Sequence, residues 1–134
     1  MSTSHPNAAD VRLWHTMSFT DADAMIAWLS TVGFVEHATY RDDSDPAVVV
    51  HAEWLWPGGG GVMFGTRRDD GAVSNVGGSA AYLVTDDPDA VFERAVAAGA
   101  RVTRAMVDQD YGGRGGSVED PEGNHWSFGS YQPS

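Results

Sequence analysis

Hydrophobic and polar positions alternate along the chain with two different periods, which predicts short strands interrupted by two helices. Residues 11–20 are rich in β-forming side chains and predict a strand. A helix is predicted next, because apolar residues then recur at helical spacing, namely Ala22, Ile26, Leu29 and Val32. Asp21 or Asp23 is suited to cap the start of this helix, and Gly33 is suited to end it.

Shorter β-rich runs complete the first half of the chain. The predicted strands cover residues 34–40, 47–56 and 62–65, with a turn at 41–46 and a break at 57–61. A polar, glycine-containing connection at 66–78 follows, so the pattern of the first half ends there.

The pattern then starts again. Residues 79–85 predict a strand, and Asp86 or Asp87 is suited to cap a second helix, with Pro88 in its first turn and Gly99 at its end. The apolar stripe of this helix is formed by Val91, Phe92, Ala95 and Val96. The remaining predicted elements are strands at 102–107, 116–119 and 125–131, a loop at 108–115 and a turn at 120–123.

The two halves form an internal repeat with an offset of 66 residues. Identical residues recur at Asp21/Asp87, Asp23/Asp89, Ala24/Ala90 and Gly33/Gly99. Each half reads as a βαβββ module in which one helix covers one face of a sheet. The predicted fold class is therefore α+β, with two modules that form a curled mixed sheet around a central groove, the natural place for a ligand.

The length of 134 residues fits one domain. We expect a flexible tail at residues 1–10 and a single domain at 11–132, made of halves at about 11–65 and 79–132. The chain contains no cysteine, which excludes disulfides and thiolate chemistry. Neither a membrane-spanning run nor a signal peptide is evident, so a cytoplasmic location is expected.

Charge narrows the range of partners. Nineteen acidic and eight basic residues give a formal net charge of −11. An acidic surface repels phosphate backbones and anionic lipids, so we expect neither nucleic acid nor membrane binding. Cationic small molecules are attracted to it, although acidity of this kind also simply keeps proteins in solution.

Four segments of the chain form recognisable motifs: Arg12-Leu-Trp-His-Thr-Met17, residues 89–100, Gly112-Gly-Arg114 and Asp120-Pro-Glu-Gly-Asn-His-Trp126. Together they resemble the motifs of the vicinal oxygen chelate superfamily, which includes glyoxalase I, extradiol dioxygenases and bleomycin-resistance proteins. The resemblance extends over residues 11–132. These motifs are specific for the fold but weak for function, because the superfamily hosts many chemistries.

Enzymes of this superfamily hold a divalent metal, and the resemblance maps its ligands onto this chain. The positions fall on His15, Glu53, Ala80 or Ala81, and Ser127. Neither alanine has a donor, and a serine hydroxyl is a poor ligand. We therefore expect no cofactor. The alternative is a divalent metal such as Ni, Zn, Fe or Mn held by His15, Glu53 and His125.

Strand alternation, in the register that the resemblance implies, sorts the side chains of the groove. We expect Trp54, Trp56, Trp126 and Phe128 to face the helices. Trp56 and Tyr111 are also candidates to reach a ligand, Tyr111 by stacking from a lid or else as part of a plain surface loop. Arg114 either pairs with a ligand carboxylate or bridges to Glu119 or Asp120. The expected ligand-binding residues are His15, Met17, Phe19, His51, Glu53, Leu55, Trp56, Tyr111, Arg114, His125 and Ser127.

The leading functional hypothesis is a small-molecule binding protein of the bleomycin-resistance type, which sequesters a ligand without metal catalysis. The alternative is a metal-dependent glyoxalase-like or dioxygenase-like lyase, isomerase or oxygenase that uses His15 and Glu53. A third possibility is a partner-binding module without small-molecule chemistry. Members of the vicinal oxygen chelate superfamily with a similar length commonly form dimers, so the resemblance implies a homodimer.

Overall fold

The computed structural model of the chain describes residues 7–69 and 75–134. The chain divides into two compact units, with the boundary between Val76 and Gly77, inside the connection predicted at 66–78. Most of the predicted flexible tail, residues 1–6, lies outside the described residues. Residues 8–10 form a short 3-10 helix, in which the Asn7 side chain accepts a hydrogen bond from the Ala9 backbone N–H at 3.0 Å.

The first unit is a βαβββ module. Its elements are β1 (Trp14–Phe19), α1 (Ala22–Val32), β2 (Val35–Arg41), β3 (Val49–Leu55) and β4 (Gly61–Thr66). The four strands form one mixed sheet in the order β1-β4-β3-β2, in which β1 runs parallel to β4 and the other pairs are antiparallel. Register shifts in β2 increase the local twist of this edge strand.

The second unit repeats this arrangement. Its elements are β5 (Ala80–Val84), α2 (Pro88–Ala97), β6 (Arg101–Asp108), β7 (Arg114–Glu119) and β8 (His125–Gly129). The strand order β5-β8-β7-β6 matches that of the first sheet, including the parallel outer pair and the shifts in the opposite edge strand. The predicted α+β class and the two βαβββ modules are confirmed.

Equivalent residues begin both helices. The Asp21 carboxylate accepts a hydrogen bond from the Ala24 N–H at 3.1 Å, and the Asp87 carboxylate accepts one from the Ala90 N–H at 3.2 Å. These bonds satisfy backbone donors that have no partner inside the first turn. Asp21 and Asp87 are therefore the caps among the predicted alternatives. Gly33 ends α1 with a φ of 133°, a conformation that other residues rarely adopt.

Each unit has its own apolar core. In the first, the ring of Phe64 lies 5.0 Å from that of Phe19 and 6.4 Å from that of Trp54. In the second, Val118, Trp126 and Phe128 are at most 1% exposed. The prediction that these tryptophans pack in the core is confirmed. Among the residues described, no helix has the length and hydrophobicity needed to cross a membrane.

A buried polar network organises the turn between β7 and β8. Asp120 and Asn124 are 4% and 2% exposed. The Asp120 carboxylate accepts hydrogen bonds from the backbone N–H of Glu122 at 2.8 Å, from that of Asn124 at 3.0 Å and from the Trp126 indole at 2.8 Å. The Ser79 hydroxyl donates to the Asn124 side chain at 2.8 Å, so the turn is tied to the start of β5. This network explains the Asp-Pro-Glu-Gly-Asn motif as structural.

Candidate functional site

Backbone register assigns each residue of the first sheet to one of two faces. Met63 of β4 pairs with Thr16 of β1 and with Glu53 of β3. Paired residues point to the same side of a sheet, and successive residues alternate. Met63 and Glu53 therefore lie on one face of the sheet, and His51, two residues before Glu53 on β3, lies on the same face. We call this face the open face, because the core rings of Trp54 and Phe64 lie on the opposite face.

A recess with a volume of about 360 Å³ lies on the first unit. It is lined by Thr16, Met17, Ser18, Val50, His51, Met63, Phe64, Gly65, Thr66 and Arg68. Apolar side chains make much of this lining, and a few hydroxyl, imidazole and guanidinium groups add polar contacts. This combination of volume and lining is typical of small-molecule sites, which occupy about 300–1,000 Å³.

A histidine–carboxylate pair borders the recess. His51 Nε2 lies 2.8 Å from Glu53 Oε2, and His37 Nε2 lies 3.8 Å from the other oxygen of Glu53. The ring of Tyr40 stacks on the His51 ring at 6.3 Å with an angle of 13° between the planes. The carboxylate therefore holds the imidazole in one orientation, and the pair offers a ligand both a negative charge and a proton-carrying ring.

Arginine provides the cation of the recess. A guanidinium N–H of Arg68 donates to the Val50 carbonyl at 3.3 Å, and the Thr66 hydroxyl accepts a hydrogen bond from the Val49 N–H at 2.9 Å. Arg68 follows β4 in sequence, and this contact ties it to β3. The recess thus carries groups of both signs, with Arg68 in its lining and Glu53 beside His51.

His15 lies on the face opposite Glu53, so the prediction that they share a face is wrong. His15 pairs with Val62, which in turn pairs with Trp54. Burial lowers the pKa of His15 below its usual value, because the charged imidazolium is poorly solvated there. The sheet itself separates the two side chains, so they cannot hold one ion together as in the alternative ligand set.

Three other residues predicted to line the groove are buried. Phe19 is 0% exposed and Leu55 is 3% exposed, and Met17, at 9%, borders the recess from the core face. Trp56, predicted to reach a ligand, is 7% exposed, and its ring packs 5.1 Å from that of Phe34. The predicted register of β1 is one residue out of phase, which places Met17 and Phe19 on the core face. Leu55 of β3 lies on the same face as Glu53, as predicted, but it is covered there.

The internal symmetry of the sheets tests the remaining metal positions. β4 and β8 occupy the same place in the two sheets, and Met63 of β4 matches Ser127 of β8, each pairing with the third residue of the unit's first strand. Glu53 lies on β3 and therefore matches Ser117 of β7 rather than Ser127. A thioether and a hydroxyl are weak ligands for the hard or borderline divalent ions of such sites.

The donor set consequently does not fit a divalent ion at the positions that the superfamily uses. Ser127 shares a hydrogen bond of 2.7 Å with Ser117, which occupies its hydroxyl. Ala80 and Ala81 contribute no donor atom at all. Across residues 7–69 and 75–134, no three His, Cys, Asp or Glu side chains form a group able to hold a metal ion.

The second sheet has an open face of different character. His125 and Ser127 lie there, opposite the buried Trp126 and Phe128, as alternation predicts. Tyr82 shares this face, because it pairs with Ser127. Burial raises the pKa of Tyr82 above its usual value, with a smaller contribution from nearby tyrosines.

Arg114 pairs with acids other than those predicted. Its guanidinium makes two hydrogen bonds to Asp89 of α2, at 2.8 and 3.1 Å, and lies 3.4 Å from Asp108. The expected bridge to Glu119 or Asp120 is therefore wrong, and Glu119 pairs instead with Arg101. The Arg114 hydrogen bond lowers the pKa of Asp89, since it stabilises the carboxylate.

Sequence reasoning missed the hydroxyl groups and the arginine of the recess. Thr16, Ser18 and Arg68 line it, but the pattern of residues 62–65 predicts only a short strand and gives no partner for it. The internal repeat offered a signal for Thr16. Its offset of 66 residues aligns Thr16 with Tyr82, and Tyr82 pairs with Ser127, which was predicted to line the site.

Comparison with known proteins agrees with the fold. Residues 8–128 match the model of the Glyoxalase/Bleomycin resistance protein/Dioxygenase superfamily, and the chain belongs to this superfamily. The resemblance inferred from the sequence motifs is therefore confirmed.

Solved structures with the same fold include proteins of varied description. TioX from Micromonospora sp. ML1 has a TM-score of 0.70 and 29% identity, over 96% of this chain and 99% of that one. The fosfomycin resistance protein FosX from Listeria monocytogenes, a glutamate-to-glutamine mutant in complex with Mn(II) and a dihydroxypropylphosphonic acid, has a TM-score of 0.64, with 15% identity over 90% of this chain and 93% of that one. The second similarity shows the fold alone.

Closer sequence similarity is limited to a segment. An uncharacterized protein of Mycobacterium tuberculosis, Rv0887c, is 52% identical over 48 residues, which make up 36% of this chain and 28% of that protein. The match thus covers less than a third of the curated relative.

Proposed function

We propose that this protein binds a small molecule in the recess of the first unit and acts by sequestering it, in the manner of bleomycin-resistance proteins. The observation that carries this proposal is the recess of about 360 Å³ bordered by the His51–Glu53 pair. Apolar side chains such as Met63 supply affinity through burial, and the few polar groups orient the ligand.

The chemistry of the available groups supports binding over catalysis by a resident metal. His15 and Glu53 lie on opposite faces of their sheet, and Ser127, on the last strand of the second unit, has a neutral hydroxyl. Glu53 and the formal net charge of −11 favour a guest that carries positive charge, while Arg68 favours an acceptor group at the other end of that guest.

Calorimetric titration tests the proposal, with metal-free bleomycin, other cationic glycopeptides and aromatic antibiotics as ligands. We expect saturable binding that depends on the recess and recovery of the ligand unchanged. Glu53→Gln should weaken binding by about ten- to a hundredfold, since a charge-assisted contact contributes about 1.5–3 kcal/mol. Glu36→Gln is the matched control, because Glu36 is an exposed glutamate on β2, and it should bind as the wild type does.

Two results would contradict the proposal. One is the absence of any binding across this panel. The other is about one Ni, Zn, Fe or Mn ion per chain in protein purified without chelator, lost on His15→Ala, which would support the metalloenzyme alternative. The homodimer and the cytoplasmic location stay predictions, and light scattering tests the first of them.

A further inference from the structure

Three tyrosines form a cluster on the second unit. Tyr82, Tyr111 and Tyr131 are 45%, 62% and 37% exposed. The Tyr82 hydroxyl donates a hydrogen bond to the Tyr131 carbonyl at 2.8 Å. The rings of Tyr111 and Tyr131 meet edge to face, with 5.0 Å between their centroids and 88° between their planes. The cluster thus combines large exposed ring area with contacts that hold the rings in place.

Glycines make room for this cluster. A Cβ atom added at Gly129 would lie 2.9 Å from ring atoms of Tyr82, so the ring lies directly against the backbone of β8. A Cβ at Gly113 would lie 2.8 Å from the Tyr131 nitrogen, and Gly113 has a φ of +76°. Larger residues at either position would displace a tyrosine. The Tyr82 ring therefore rests on the backbone of β8, and the backbone of Tyr131 passes close to Gly113.

The surroundings of the cluster are acidic. Asp110 is exposed and adjoins Tyr111 in sequence, and the Asp108 side chain is 86% exposed. Arg114 is the cation beside them, and it is engaged by Asp89 through two hydrogen bonds. One guanidinium among the three carboxylates of Asp89, Asp108 and Asp110 leaves a local charge of −2.

We propose that the tyrosine cluster binds a planar aromatic cation. The faces of tyrosine rings carry negative potential, so they attract a cation that stacks on them, and Asp108 and Asp110 add attraction of the same sign. A neutral flat molecule gains only the stacking contribution. This proposal concerns the second unit and does not depend on the recess of the first.

Fluorescence anisotropy of proflavine, a planar aromatic cation, tests the proposal on the full chain. Tyr111→Ala should weaken binding about two- to fivefold, as expected for one cation–π contact at an exposed site. Asp110→Asn should weaken it too, and added salt should reduce that difference. Leu13→Ala is the control, because Leu13 is a large apolar residue that is 83% exposed on the first unit and does not line the recess, and it should leave proflavine binding unchanged.

Tyr111→Phe is the conservative partner of Tyr111→Ala, because it retains the ring and its edge-to-face contact with Tyr131 and removes only the hydroxyl group. We expect it to bind proflavine nearly as the wild type does, with an unchanged circular dichroism spectrum. Acridine, at a pH where it is uncharged, should bind more weakly than proflavine.

Several outcomes would overturn the proposal. Equal binding of proflavine and neutral acridine would do so, as would wild-type affinity for proflavine in Tyr111→Ala or no proflavine binding at all. Self-association of the protein that Tyr111→Ala abolishes, while dye binding is unchanged, would also do so. Loss of dye binding in Glu53→Gln but not in Tyr111→Ala would place the dye in the recess, which contradicts this proposal and supports the proposed function. The two can therefore fail separately.

Discussion

Removal of the Asp120 carboxylate should destabilise the second unit more than any surface substitution. Asp120→Ala leaves the backbone N–H of Asn124 and the indole N–H of Trp126 without their acceptor, and both residues are at most 2% exposed. An orphaned buried donor costs about 1–3 kcal/mol. With two such donors and partial relaxation around them, we expect the free energy of unfolding to fall by about 2–5 kcal/mol.

Asp120→Asn is the milder perturbation. One oxygen remains to accept from the backbone, but the new amide group opposes the Trp126 N–H, so we expect a loss of about 1–3 kcal/mol. In a Trp126→Phe background this loss should shrink, because the opposing donor is absent. Asp110→Asn, at an exposed aspartate, is the matched control and should change stability by less than about 0.5 kcal/mol.

Urea unfolding followed by tryptophan fluorescence and circular dichroism measures these differences by linear extrapolation. The two signals should change together if each unit contributes to one cooperative transition. A loss below about 1 kcal/mol for Asp120→Ala, within the ordinary range of point substitutions, would refute the assignment of this network as the anchor of the β7–β8 turn. Equal losses for Asp120→Asn with and without Trp126 would refute the role of the indole bond.

Two further predictions concern pH and helix capping. Burial lowers the pKa of His15 below 6.5, so the contribution of this group to stability is complete above that pH and is lost as the pH falls through 6.5 towards the folded-state pKa. Urea unfolding at neutral and mildly acidic pH should show this decline. A His15→Gln variant with the same pH dependence would contradict the prediction. Asp21→Ala and Asp87→Ala should each lower the free energy of unfolding by about 1 kcal/mol through loss of a helix cap. Asp23→Ala removes only an exposed ion pair with Arg41, so it should cost less than about 1 kcal/mol. Thermal denaturation of the three variants distinguishes them, and equal losses of stability would rule out the capping assignment.

Local features of the chain predicted much of the fold. Both helices begin at aspartates that the pattern predicts as caps, and α1 ends at Gly33 as expected. Capping depends on side chains a few residues from the backbone groups that they satisfy, so short-range sequence suffices. The offset of 66 between Asp21 and Asp87 also extends to the strands, since Trp14 and Ala80 each begin the first strand of a unit.

The candidate site was predicted less well, because part of it depends on distant pairing. His51 and Glu53 lie two apart on one strand, and alternation places them on the same face, as predicted. Whether His15 joins them depends on the pairing of β1 with β4, which brings Trp14 next to Gly61 from far along the chain. A change of one residue in that pairing exchanges the faces of all six residues of β1.

Information local to the chain was enough for the repeated βαβββ order, the helix caps, the acidic charge and the turn around Asp120, because each depends on near neighbours or on composition. The side of the sheet on which a given residue lies became known from the folded structure alone. The tertiary structure places His15 and Glu53 on opposite faces of one sheet, pairs Arg114 with Asp89, and brings the tyrosines of the second unit together. Strand register joins distant segments, and it is selected by the burial of a whole face rather than by any local motif.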